Sequence, residues 1–392
     1  MPSQRRVRAP SRLQRVIYTL RTEGGTRGQE ASAIGLGLAV GFSPFIGLHL
    51  GMCIALGWFL GLNRLKLYLA ANLVNPLIMP GVLFVEVQLG SWIRRGSIYA
   101  LSMDAFSSMD PWHFGLDLLL GGMVLSILGG LAAGVLTYAA LGRRYCDPEF
   151  TRLTSAAADR YLGTSLTAWE FARAKLRRDP VYRAVLSSGW LPPSGVLVDV
   201  GCGPGLLLAL LIQACEDANE GQWPPAGWPP PPADLQLHGI EVRPRAGDLA
   251  RYAVGDAADI QTADARAALL PAVIDVAAIF DVLHMVDRAS QRPLVARIAA
   301  AMRPGGVLLV READAAAGWR FRLVRLGNRV TALLRGRWRP QFAFRTAAEW
   351  QAELAGLGFE VSVAPMAKGT PFANVLLVAR RLATSQSAPT AS

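Results

Sequence analysis

Charged residues make up only 18% of this 392-residue chain, and bases outnumber acids 40 to 29. Soluble enzymes carry nearer a quarter charged residues. The shortfall, with a mean hydropathy of +0.29, points to part of the chain lying in lipid. Cysteine is equally sparse. Cys53, Cys146, Cys202 and Cys215 have no CxxC spacing, which excludes a disulfide framework and a zinc site of the usual kind. The four histidines are scattered, so no metal centre is expected. The excess positive charge, +11, has two common readings: nucleic-acid binding, or cytoplasmic flanks beside a membrane.

What is present is long apolar runs. Seven arginines and two glutamates occupy the first thirty residues, and apolar segments follow at 33–62, 67–93 and 115–141. Each meets or exceeds the ~20 residues that cross a hydrocarbon core. Each is followed by basic residues: Arg64 and Lys66, Arg94 and Arg95, Arg143 and Arg144. The run starts too late and lasts too long for a cleavable signal. Pro44 interrupts the first segment, and Asn72, Asn75, Pro76 and Pro80 interrupt the second. Proline removes a helix hydrogen bond, which lipid tolerates only where neighbours satisfy the freed carbonyls. Two readings stand: a kinked anchor, or broken helices lining a polar site with His49, Asn72, Asn75 and Glu86 as candidates. Gly37/Gly41, Gly47/Gly51, Gly57/Gly61 and Gly130/Gly134 have the spacing of close helix contacts. "GLAVGFSPFIGLHLG" followed by "LNRLKLYLAANLVNPLIMPGVLFVEVQLG" resembles the bacterial membrane family called domain of unknown function 2062. That resemblance implies an integral membrane domain over roughly 15–145 and no catalytic residues.

From residue 147 the chain turns charged and helical, and from about 191 it alternates strand and helix. Strands are expected at 196–200, 235–242, 253–256, 273–280, 306–311, 359–365 and 373–380. Helices are expected at 204–215, 288–302 and 346–357. This pattern means a parallel sheet covered by helices, here with a closing antiparallel edge. The expected divisions are a membrane domain at 1–146, helices linking and flanking the substrate side at 147–190, an α/β domain at 191–382, and a disordered tail at 383–392. A proline-rich stretch, "EDANEGQWPPAGWPPPPAD", reads as a surface insertion.

The stretch "VLVDVGCGPGLLLALL" carries the chemistry. Gly201, Gly203 and Gly205 lie between a strand and a helix, where doubly wound sheets bind ligands. The spacing is G-x-G-x-G, unlike the G-x-G-x-x-G that aims a helix at a pyrophosphate. Asp199 precedes it, and a carboxylate there repels phosphate and suits a cationic or amino-bearing ligand; its bland reading is a helix cap. Cys202 reads as a small filler. Glu241, closing the second strand, is placed to accept ribose hydroxyls. Its distance from Gly201 is twice the ~20 residues expected, a gap the proline-rich insertion accounts for. Asp256 is placed after the third expected strand to accept from an exocyclic amine, with Asp259 as its competitor. The ten residues between those strands leave room for a short helix or none.

This set resembles the class I methyltransferases that use S-adenosylmethionine: "VDVGCGPG", Glu241, "GDAAD" with Asp256, "FDVLHMV" from Asp281, and "MRPGGVLLVRE". The resemblance implies a Rossmann-like domain with a mostly parallel seven-stranded sheet. It also implies a glycine loop on the methionine part of S-adenosylmethionine, Glu241 on the ribose and the acid after the third strand at the adenine. Asp281 reads as a cofactor-pocket or loop-fixing residue. Methyl transfer is an in-line displacement that needs positioning and dryness, and a hydroxyl acceptor also needs a base. His284 is the first candidate; its bland alternative is a packed histidine. "FDVLH" replaces the [ND]-P-P-[YF] motif of nitrogen methyltransferases. The expectation is therefore O- or C-methylation of a small aromatic, polyketide-type or lipid-like acceptor. The tail "FEVSVAPMAKGTPFANVLLVARR" is similar to methyltransferases of aryl-polyene pathways.

The segment 318–340 carries seven arginines and two tryptophans. On a helix, Trp319, Leu323, Leu326, Val330 and Leu333 or Leu334 share one face and Arg322, Arg325 and Arg329 another. It reads as a helix on an anionic membrane surface or as a lid with a solvated basic face. The whole is expected to be a multi-pass protein of the bacterial inner membrane with its catalytic domain in the cytoplasm. Its expected partners are the lipid bilayer and an amphiphilic acceptor. The rivals are a transport or scaffold protein that senses cofactor, and a nucleic-acid methyltransferase.

Overall fold

The computed structural model describes residues 11–22, 26–45, 47–99, 110–142, 148–223, 227–334, 336, 338, 341–367 and 370–383. The tail expected from 383 falls outside them from residue 384, as do Arg143 and Arg144. The chain divides into two compact units, Ser11–Asp147 and one built on Pro148–Ser392.

The first unit is helical: α1 Arg12–Thr22, α2 Arg27–Gly41, α3 His49–Phe59, α4 Arg64–Ala71, α5 Met79–Arg95 and α6 Pro111–Gly142. Among the described residues one helix, Pro111–Leu141, is long and apolar enough to cross a membrane. The two segments read as kinked or broken in the sequence are each split in the structure. The segment 33–62 is divided between α2 and α3 around Pro44, and 67–93 between α4 and α5 around Asn75 and Pro76. The physical reason lies in the interrupting residues. Asn63 caps α4 by accepting from the Lys66 N–H, and Asn75 accepts from the Leu77 and Ile78 N–H groups as α5 begins. Small residues then let the pieces close on α6: Gly121 lies so tightly against the Glu86 carbonyl that a Cβ would overlap it.

The four candidates for a polar site are not brought together. His49 Nε2 lies 3.3 Å from the Ser43 carbonyl, and Asn72 donates to the Tyr68 carbonyl. Asn75 is occupied at the start of α5, and Glu86 alone is buried.

The second unit opens with α7 Pro148–Asp159, α8 Leu166–Arg178 and α9 Pro180–Ser187. It continues β1 Ser194–Val200, α10 Leu206–Asn219, β2 Asp234–Glu241, α11 Pro244–Val254, β3 Ala258–Thr262, β4 Ile274–Phe280, α12 Arg288–Ala301 and β5 Met302–Ala313. It ends with α13 Gly318–Leu334, α14 Ala347–Ala355, β6 Phe359–Pro365 and β7 Asn374–Arg381. The seven strands form one sheet ordered β3-β2-β1-β4-β5-β7-β6, parallel except for β7, which runs antiparallel to β5 and β6. The central strands are apolar throughout, as strands covered on both faces are: Val276, Ala277, Ala278 and Ile279 are fully buried. The core joins them to Leu294, Val295 and Ile298 of α12 and to Trp350 and Leu354 of α14.

The third strand lies five residues later than its expected 253–256. Pro244 at the first turn starts a helix, and Gly247, Ala250, Ala253 and Val254 form its buried face at helical spacing. The helix expected to be short or missing between β2 and β3 thus has three turns. Asp256 sits in a single 3-10 turn leading into β3, at the strand's entry, and Asp259 lies within β3.

Candidate active site

At the carboxyl ends of β1, β2 and β4 the sheet opens between β1 and β4, where the strand order reverses. This is the place where open α/β sheets bind ligands. The glycine loop crosses it. Gly201 has φ +74°, and a Cβ there would collide with Val282 beyond β4. Gly203 has φ +58° with nothing closer than 3.7 Å to a Cβ, and donates its N–H to Glu241 Oε2 at 2.8 Å. Gly205 starts α10 without any side-chain cap, so Asp199 is not the cap of that helix. Tyr161, fully buried after α7, donates its hydroxyl to the Pro204 carbonyl at 2.8 Å and braces the loop. Cys202 is buried, and burial pushes its thiol up, which leaves a neutral filler.

The carboxylates around the loop differ in how they are neutralised. Glu241 accepts from the Arg243 N–H at 2.9 Å and from Arg243 Nε at 2.8 Å. Asp264, just past the end of β3, accepts from the Arg266 N–H at 2.9 Å and from Arg266 Nη2 at 2.7 Å. That pairing holds its carboxyl below the usual range. Both follow an acid-x-Arg pattern at the ends of neighbouring strands. Asp199 has no cation among the described residues. Burial, and then the charge of Glu241, push its carboxyl up to about 7. A buried carboxylate left without a counter-charge is costly, so this pocket favours a ligand that brings a cation to Asp199. It disfavours phosphate. A ligand with an ammonium group beside Asp199 and neutral hydroxyls or amines elsewhere fits the donor set, and S-adenosylmethionine has those groups.

Of the expected site residues, the structure brings Asp199, Gly201, Cys202, Gly203, Gly205 and Glu241 together at this crossing. Asp256 does not join them, because β3 begins after it. The acid in the expected place is Asp264, carried by "TADAR", a signal legible once the strand is set five residues later.

Asp281 ends β4 with φ +60°, alone among the described non-glycine residues. Its carboxylate accepts from Arg311 Nη1 at 2.6 Å, and Arg311 also pairs with Asp179 at 2.9 Å. Lys175 lies 2.8 Å from Asp179 and 3.5 Å from Asp281. These contacts hold a backbone conformation that costs roughly 1 kcal/mol or more, and they fix the turn that carries Val282 against Gly201.

His284 follows in the next turn. Its Nδ1 lies 2.7 Å from Glu312 Oε2, and its backbone N–H donates to Glu312 Oε1 at 3.3 Å. Its ring stacks on Phe344 at 4.7 Å between centroids and 6° between planes. Phe321 of α13 stands edge-on to Phe344 at 5.0 Å. Burial pulls the imidazole down, but the charge and hydrogen bond of Glu312 outweigh it and the net shift is upward. Among the described residues Nε2 has no hydrogen-bond partner. A histidine with one ring nitrogen oriented by a carboxylate and the other unengaged has the geometry that general-base chemistry uses. Glu312 was not singled out from the sequence, since its partner lies 28 residues away. Arg311, Asp179, Lys175 and Phe344 were missed for the same reason; Arg243 stands two residues from Glu241 and was legible as an acid-x-Arg pair.

Residues 168–362 match the family model described as a methyltransferase domain. Residues 11–145 match a family described as an uncharacterised protein conserved in bacteria, DUF2062. No curated protein matches. Among solved structures, the chain is similar to a SAM-dependent methyltransferase from Methanosarcina mazei at 17% identity, covering 50% of this chain and 96% of that one, TM-score 0.36. It is also similar to magnesium protoporphyrin IX methyltransferase from Synechocystis with bound SAH, at 16% identity, 59% and 97% coverage, TM-score 0.38. A third is a possible histamine N-methyltransferase from Thermotoga maritima, at 17% identity, 54% and 95% coverage, TM-score 0.36.

Proposed function

From a chain that joins a DUF2062 domain to a methyltransferase domain whose cofactor is S-adenosylmethionine, we propose a membrane-anchored enzyme that methylates an oxygen or an acidic carbon. Its acceptor is a small aromatic, polyketide-type or lipid-like molecule at the cytoplasmic face of a bacterial inner membrane. The observation that carries the reading is the buried His284–Glu312 pair placed one turn beyond Asp281 at the same sheet edge as the glycine loop.

The cofactor supplies an electrophilic methyl group on a sulfonium when bound. The residues of this chain do the rest. Asp199 accepts from the ammonium, and Gly201 to Gly205 give the methionine part a bare backbone. Glu241 accepts from the ribose hydroxyls once Arg243 turns aside, and Asp264 takes the adenine side that Asp256 cannot reach. Asp281, held by Arg311, fixes the turn under the glycine loop. His284 takes the acceptor's proton on Nε2, and Glu312 stabilises the imidazolium through Nδ1. The aromatic stack of Phe344 and Phe321 excludes water above the ring. A general base of this kind contributes roughly 10²–10⁴-fold.

The test is to incubate membranes from cells making the full chain with methyl-labelled S-adenosylmethionine and to identify the labelled product. Label in a small or amphiphilic molecule, lost with His284→Ala while cofactor still binds, supports the reading. Label in RNA or DNA, or cofactor binding without turnover on any membrane extract, overturns it.

A further inference from the structure

The helix α13 divides its side chains in a way that a lid alone does not require. At 3.6 residues per turn, Phe321, Val324, Asn328 and Ala332 share the face turned to the domain; Ala332 is buried and the other three are half-buried. The opposite face carries Trp319, Leu323, Leu326, Val330 and Leu333, and all five are exposed, Trp319 at 62% and Leu326 at 59%. The second face is the apolar stripe visible in the sequence, and it points away from the core. Arg322, Arg325 and Arg329 run along one side of the stripe and Arg320 along the other, its guanidinium over the Trp319 ring at 5.7 Å. The helix has no acidic residue, and none of these four arginines forms an ion pair with a described residue.

We propose that the outer face of α13 docks on an anionic lipid bilayer, lying in the plane of the headgroups. An apolar stripe edged by unpaired arginines matches a surface that offers hydrocarbon below and negative charge at its rim. Nucleic acid offers the charge and leaves the stripe in water. The same chain holds a helix long and apolar enough to cross such a bilayer, so the lipid is at hand. The consequence rests on the reading of an amphiphilic acceptor. Phe321, on the inner face, stands against the Phe344 ring that stacks on His284. Docking therefore sets the cover of the base at the lipid surface. An acceptor with its hydroxyl in the headgroup layer and its tail in the bilayer enters there.

The test uses the full chain in nanodiscs of neutral phosphatidylcholine and in nanodiscs rich in phosphatidylglycerol, read by hydrogen exchange. A helix with one packed face frays readily in water, so peptides from 318–334 exchange more slowly only where lipid covers them. Protection in anionic discs, absent in neutral ones and lost in R322E/R325E/R329E, is the expected result. With about 1 kcal/mol lost for each basic residue near the surface, and repulsion added by each glutamate, the triple reversal lowers the docked population by at least about a hundredfold. Peptides from β4 and β5 report that the variant is folded. Equal exchange in both discs overturns the proposal. Protection conferred by added RNA in neutral discs overturns it too, and assigns the face to nucleic acid. Retention in the disc reports on the helical unit, and methyl transfer reports on the His284 site. Failure of either is read apart from failure of α13 to dock.

Discussion

Asp199 is the residue whose surroundings say most about its ligand. Its carboxyl is buried, lacks a cation among the described residues and titrates near 7. A cationic ligand pairs with the ionised form only. Affinity for S-adenosylmethionine should therefore rise by about tenfold per pH unit up to near 7 and level off above it. Calorimetric titration of the full chain across that range checks this. Asp199→Asn should flatten the profile and weaken binding at alkaline pH by roughly ten- to a hundredfold, the worth of a hydrogen bond to a charged group. His284 gives the second prediction. Its imidazole must be neutral to take a proton, and Glu312 holds it charged to higher pH. Turnover should rise with pH through that raised value. Glu312→Gln should move the rise to lower pH and reduce the plateau, with cofactor affinity unchanged. The two residues were unequally legible. Asp199 stands inside a contiguous motif, and His284 beside a strand end. Glu312 is one acid among 29 acidic residues until the sheet folds it against Nδ1.

At the scale of the element, legibility followed burial. The strand β4, the second half of β1 and most of β5 are buried and read as apolar runs. The edge strand β3 buries only Ile260. A strand with one apolar position has no period to detect, whereas Ala253 and Val254, just before it, mimic one from inside a helix. The displacement by five residues moves the acid proposed for the adenine side from Asp256 to Asp264. Asp264→Ala should then weaken cofactor binding by about tenfold, measured by the same titration, while Asp256→Ala leaves it unchanged. The reverse pattern would return the role to the acid at the entry of β3. Helix α13 shows the opposite case. Its amphipathic pattern was plain in the sequence, but which face the domain covers is decided by Phe321 and its aromatic partner Phe344, which lies 23 residues further on.

At the scale of the whole molecule, the proposed membrane anchoring requires the methyltransferase unit to lie on the side of the bilayer where the cofactor is. The contacts with α6 order its partners by height. Arg27 Nε donates to the Tyr138 carbonyl near the end of α6, Gly35 meets Gly130 and Gly134, and a Cβ on Gly122 would lie 3.1 Å from Pro44 and 3.5 Å from the Glu86 carboxyl. The break at Pro44 thus falls about a third of the way along α6, well inside it, and α2 and α3 form a hairpin that turns back. Lys66 pairs with Glu30 at 2.7 Å, which sets the start of α4 beside the start of α2. From there α4 and α5 advance to the other end, where Arg94 makes a two-pronged pair with buried Asp117 at 2.7 and 3.0 Å. Arg94 and Arg95 share the one carboxylate of Asp117, whereas Arg143 and Arg144 follow α6 in the sequence. For α6, the one helix among the described residues long and apolar enough to cross a membrane, the positive-inside rule predicts a cytoplasmic end and an outside start. A phosphatase that folds only in the periplasm should be active when fused after residue 110 and inactive when fused after residue 383. Arg94→Ala should leave buried Asp117 with only Arg95 and the Tyr99 hydroxyl and lower the yield of folded protein in the membrane. Activity after residue 383 would place the cofactor site on the wrong side of the bilayer, and would overturn the orientation read from the basic end of α6.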